Sequence, residues 1–156
     1  MAKGYVYVVR LASTAQTTAK TLIQIKAGAA PIDIIRCEVG QVTKTTSELL
    51  SIQLLRKSAA ATVTSATPLL VSSTTQPAAL AIGGATSTGT NASAEGTDTD
   101  ILYEEVWNIL NGSWVFLPVP EERHRIPQAG FWGLKLATAP AASMSIEAVV
   151  TFEEVQ

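Results

Sequence analysis

From Met144 to Phe152 the chain alternates without a break. Met144, Ile146, Ala148, Val150 and Phe152 fall on one face, with Ser145, Glu147, Val149 and Thr151 on the other. Successive side chains of a strand point to opposite faces, so this run folds as a strand with one apolar face that must find a sheet to bury it. The same period recurs along the chain. In Gly4–Leu11, Tyr5, Tyr7 and Val9 share a face opposite Val6 and Val8. Lys20–Ala27 sets Thr21, Ile23 and Ile25 against Gln24 and Lys26, and Phe131–Leu136 gathers Trp132, Leu134 and Leu136. In Ile32–Val39 the pattern turns Ile35, Cys37 and Val39 inward and Arg36 and Glu38 outward. Glu48–Lys57 fits both periods, because Leu49, Leu50, Ile52, Leu54 and Leu55 are also good helix formers. Its strand-rich surroundings decide for a strand.

Asn111-Gly112 lies between two apolar flanks, Tyr103–Leu110 and Trp114–Leu117. Asn-Gly accepts the positive φ angles of a type I′ turn, so the pattern predicts a two-residue hairpin at Asn108–Phe116. All three tryptophans fall between Trp107 and Trp132, which places this hairpin and the strand after Pro127 at the centre of the core. Pro118–Arg125 is a rigid charged crossing that a strand does not continue through. Ala12–Ala19, Gly40–Ser47 and Ala137–Ala142 read as connections.

Ser58–Ala94 contains no charged residue and is built from Ala, Ser, Thr and Gly, with Val63, Leu69, Leu70, Val71, Leu80 and Ile82 interspersed. It reads as a long ordered excursion with one short strand, packed on its own body or on a neighbour. An acidic turn, Glu95–Asp100, closes it. About eight strands with short turns and one excursion predict a single all-β domain over residues 1–156, an antiparallel β-sandwich of jelly-roll type.

Charged residues make up only 15% of the 156 residues and the net charge is −2, while mean hydropathy is +0.25. Typical soluble domains carry roughly 25% charged residues, and a small domain with so few tends to associate. This points to an outer surface partly buried against other chains. The balance gives no basic field for nucleic acid and no polybasic segment for a membrane. No apolar run reaches the roughly 18 residues of a spanning helix. The start, Met-Ala-Lys-Gly-Tyr, has no signal-peptide pattern, so the chain is expected to be made and stay soluble in cytoplasm.

Reactive side chains are sparse. His124 is the only histidine and Cys37 the only cysteine, which excludes a cupin-type metal centre, a His-Cys metal cluster and a disulfide framework. Cys37 reads as a small core residue, and His124, between two arginines, as a loop residue. Glu104-Glu105, Glu121-Glu122 and Glu153-Glu154 are adjacent pairs, which a strand separates onto opposite faces. Glu95, Asp98 and Asp100 offer oxygen ligands but lack the spacing of a calcium loop. Gly83–Gly89 lacks the ending of a phosphate loop and reads as a turn. The expectation is a non-enzymatic protein with no cofactor and no metal.

Several stretches resemble a group of small phage and phage-like virion proteins of the capsid surface. They are Leu22–Gly28 with Pro31, Ile52–Lys57, Trp107–Trp114 running into Leu117–Arg123, and Met144–Phe152 followed by Glu153-Glu154. The resemblance implies a jelly-roll decoration (cement) protein on the virion, bound to the major capsid protein of the assembled head, commonly as a homotrimer. It supplies no catalytic or binding residue. On the residues themselves, Tyr5, Tyr7, Leu69, Leu70, Glu121, Glu122 and Arg123 are candidate intersubunit or capsid contacts, drawn from the N-terminal segment, the excursion and a charged rim. The competing expectation is a tail or fibre-tip module that stacks host glycan on Trp107, Trp114 or Trp132. A small hydrolase would need a nucleophile elbow or a credible base, and neither is present.

Overall fold

The computed structural model describes residues 4–72, 75 and 77–155; Ala2 and Lys3 of the candidate N-terminal contact, and residues 73, 74 and 76 of the excursion, lie outside them. Twelve strands form among the described residues: β1 (Tyr5–Gln16), β2 (Lys20–Lys26), β3 (Ile32–Gln41), β4 (Leu49–Ala59), β5 (Thr62–Ser65), β6 (Leu69–Leu70), β7 (Gly89–Ala94), β8 (Thr97–Asn108), β9 (Trp114–Phe116), β10 (Arg125–Ile126), β11 (Phe131–Leu136) and β12 (Met144–Glu154). A short 3-10 turn, Pro120–Glu122, precedes β10.

One sheet runs β10-β3-β12-β1-β6, with β9 beside β10 on the same edge of β3; the other runs β5-β7-β2-β11-β4-β8. Without β5, β6, β7 and β10, the remaining eight strands in chain order stand 1-8-3-6 in one sheet and 2-7-4-5 in the other. All their pairings are antiparallel, and they include first with last (β1–β12), second with seventh (β2–β11), third with sixth (β3–β9) and fourth with fifth (β4–β8). That is a long two-stranded ribbon wrapped over itself, the jelly roll. The interior is filled by Leu50, Ile52 and Leu54 of β4, Trp132, Leu134 and Leu136 of β11, and the alternate residues Met144 to Phe152 of β12, all buried.

The central hairpin expected from Asn111-Gly112 is not formed. β8 pairs with β4 and β9 with β3, so the two flanks belong to different sheets. The connection is an arch: Asn111 N–H donates to Asn108 O at 3.0 Å, and among its residues only Gly112, at φ 86°, is left-handed. A type I′ turn needs two such residues. Ile109 is buried in the arch, and Trp107 Nε1–H donates to Gly112 O at 2.9 Å. Of the apolar residues in the two flanks, Trp107, Ile109 and Trp114 are buried, each reaching the interior from its own strand or from the arch.

Two further departures come from bulges. Opposite β12 the register slips between Thr151 and Phe152, so that Arg36 pairs with Thr151 and Ile34 with Phe152. Ile34 is therefore buried, with Cys37 and Val39, where simple alternation expects Ile35. In β1 the slip between Leu11 and Thr14 lets the strand continue to Gln16 through residues expected to be a connection. The excursion is more structured than one short strand: β5 and β7 widen one sheet beyond β2, and β6 adds to the edge of β1. The acidic turn is shorter than expected, because Thr97–Asp100 already belong to β8.

Candidate interaction surface

The outer face of β2, β11 and β4 is covered by the excursion as it returns. Glu95 accepts the backbone N–H and the Oγ1–H of Thr21, and its Oε2 lies 3.3 Å from Lys57 Nζ. Lys57, with no side-chain exposure, also meets Asp98 Oδ1 at 2.6 Å, and Lys135 Nζ holds the other oxygen of Asp98. Gly133 leaves room for this, since a Cβ there would stand 3.1 Å from Lys57 Cε. Burial alone pushes both carboxyls up. The Thr21 hydrogen bonds and Lys57 for Glu95, and the two lysines for Asp98, outweigh it and hold both below their ordinary values. Asp100 faces Arg56 at 3.9 Å. The three carboxylates Glu95, Asp98 and Asp100 are thus neutralised by lysine and arginine, and no metal-holding group of three occurs among the described residues.

The excursion is also fastened along its length by Glu154, whose buried carboxylate accepts the N–H groups of Leu80 and Ala81. Tyr7 O–H donates to Pro77 O at 2.9 Å. Tyr7 also stacks on Phe152 with ring centroids 5.8 Å apart and is 1% exposed, which makes it a core side chain of its own chain and corrects its place among the outward contacts. Tyr5 packs against the core edge. Leu69 is exposed and Leu70 half-buried, both on β6. Glu121 and Glu122 are exposed on the 3-10 turn. Arg123 spends its guanidinium on Glu153 of β12, 3.6 Å away. The candidates thus scatter between the β1–β6 edge and the chain before β10.

Potentially reactive groups are spoken for. Burial drives the Cys37 thiol well above its ordinary value. His124 lies 5.1 Å from the Phe116 ring and accepts Trp132 Nε1–H on Nδ1 at 3.4 Å. Desolvation, then the Arg56 charge, lowers its pKa, so the imidazole is neutral at pH 7. The three tryptophans are at most 5% exposed. Glu104 and Glu105 point to opposite faces, as adjacent strand residues must. Glu104 accepts from Ser51 and Gln53, and Glu105 from Tyr103 O–H and Trp114 Nε1–H.

Exposed large apolar side chains are the feature that period counting did not locate. Ile101, Tyr103 and Val106 stand on β8, an edge strand, with Leu49 next to it on β4. Leu110, Val115, Leu117 and Val119 carry the row through the arch and past β9. Tyr103 meets Phe116 at 4.9 Å and joins the two sheet edges there. A second group, Leu69, Val71, Leu80 and Ile82, belongs to the excursion. The signal is present as the apolar residues on either side of Asn111-Gly112, which the expected central hairpin assigns to the core. No protein-family model and no curated protein matches this chain.

Proposed function

We propose that this protein is a non-enzymatic structural component of a phage virion, a capsid decoration (cement) protein that binds the outside of the assembled head as an oligomer and stabilises it. One observation carries the reading: a jelly roll whose cysteine and tryptophans are buried leaves a row of leucine, isoleucine, valine and tyrosine side chains in the open along β8 and past β9. Contiguous exposed apolar surface marks interaction sites. A charged fraction of 15% fits a surface partly covered by other chains. An oligomer that bridges several capsid subunits gains avidity from modest individual contacts and needs no chemistry. The resemblance of the Trp107–Arg123 segment to virion surface proteins supplies the head as partner. Glycan stacking on tryptophan has no support here, since all three are buried.

Light scattering over a dilution series, followed by co-sedimentation with assembled heads, tests the proposal. A stable oligomer that pellets with heads is the expected result. A monomer at every concentration that stays in the supernatant overturns it.

A further inference from the structure

Twelve of the thirteen exposed large apolar side chains among the described residues fall into the two groups above. The groups lie on opposite lateral sides of the sandwich. β8, β9 and β10 end the two sheets on one side; β5, β7 and β6 end them on the other. On the first side, β8 carries carboxylates that no cation meets among the described residues. Glu104 and Glu105 on β8 are met only by neutral donors, from Ser51, Gln53, Tyr103 and Trp114. The second side is charge-free along the excursion and rimmed by lysines of β2. Lys26 lies over the Phe131 ring at 5.5 Å and lines a shallow pocket with Gly28, Leu80 and Ile82. Lys20 reaches only the side-chain oxygen of Asn91. Neither lysine has a carboxylate partner among the described residues.

Two β8 sides facing each other across a two-fold axis would bring together two stretches that both carry unpaired glutamates. One β8 side on the excursion side of another copy instead matches apolar to apolar and glutamate to lysine. Such a contact is heterologous, and repeated with a closing rotation it makes a ring. We propose that copies of this chain associate head to tail, the β8 side of one seated on the excursion side of the next around Leu80, Ile82 and Lys26. This rests on the oligomer of the proposed function and assigns its two contacting surfaces.

Two double variants test it. Ile101→Glu with Val106→Glu blocks the first side, and Leu80→Glu with Ile82→Glu blocks the second; all four positions are exposed, and an unchanged circular dichroism spectrum and unfolding midpoint establish that each variant folds. In the head-to-tail arrangement each variant alone falls to the monomer mass of 16.4 kDa. An equimolar mixture then yields a dimer of twice that mass, because each variant contributes the side the other lacks. Wild-type mass in either variant, or a mixture that stays monomeric, overturns the pairing of surfaces while leaving a wild-type oligomer standing. A monomeric wild type removes the oligomer itself.

Discussion

Lys57 and Asp98 meet at 2.6 Å on the outer face of β4, with the lysine side chain wholly sheltered from solvent. The ammonium is enclosed because the chain between β7 and β8 folds over it and brings Glu95 as well. Removing one partner from such a cluster leaves the other charges without compensation. Lys57→Ala is expected to destabilise the fold by about 2 kcal/mol, a value discounted for the partial exposure of Glu95 and Asp98. Lys57→Met, which keeps the stem over Gly133, should cost less than Lys57→Ala. Urea unfolding of the two variants checks both the size and the order.

The same cluster sets a pH dependence. Both carboxyls titrate lower in the folded chain than the ordinary 4.5 of a glutamate and 3.8 of an aspartate. Their contribution is present in full above those values and is lost as pH falls through the depressed folded ones. Wild type should therefore lose stability progressively below about pH 4.5. Asp98→Asn should flatten that loss and be less stable than wild type at pH 7. Thermal midpoints between pH 3 and pH 7 decide it; parallel curves would remove the cluster as the cause.

Glu154 holds the Leu80–Ala81 stretch of the excursion. In Glu154→Ala the N–H groups of Leu80 and Ala81 lose their acceptor, at a cost of about 1–3 kcal/mol. Glu154→Gln retains one side-chain oxygen and should cost less. Amide hydrogen exchange is the sharper measurement: protection at Leu80 and Ala81 should fall in the alanine variant while β11 and β12 keep theirs.

In the arch, Gly112 sits at φ 86° with open space where a Cβ would stand. The cost of Gly112→Ala is therefore conformational, about 1 kcal/mol. Asn tolerates this region better than Ala, so Gly112→Asn should be the milder change. An equal effect of the two in chemical denaturation would indicate a steric origin instead.

The buried tryptophans make a spectroscopic prediction. Acrylamide should quench native emission weakly and emission in denaturant strongly. Added saccharides should leave the native spectrum unchanged. A saturable change with any saccharide would favour the glycan-binding alternative.

Period-two patterning located the fold well where burial is one-sided. β12 alternates buried and half-buried residues from Met144 to Glu154 as written, and Trp132, Leu134 and Leu136 point inward together. It failed where geometry departs from a regular strand. A bulge exchanges Ile34 for Ile35, and no residue type announces it. Asn111-Gly112 marks a turn correctly, but a dipeptide does not say whether the next strand returns to its own sheet or crosses to the other. The acidic stretch Glu95–Asp100 reads only as a turn in the sequence, because its counter-charges, Lys57 and Lys135, are distant along the chain. The exposed row of β8 was legible as residues but not as surface, since edge and centre strands share one composition until pairing is known.

The wrapped ribbon also orders events in time. β1 is made before its full-length partner, β12; Gly4 N–H and the Glu153 carboxylate meet across 149 positions of chain. Until β12 has been made, Tyr5-Val6-Tyr7-Val8-Val9-Arg10-Leu11 waits without that partner, aromatic and β-branched with one charge. Such a segment is prone to pair with other nascent chains, and contacts this distant in sequence close slowly. The single arginine in the middle of β1 puts a charge into that run, the kind of residue that breaks an aggregation-prone segment before its partner strand exists.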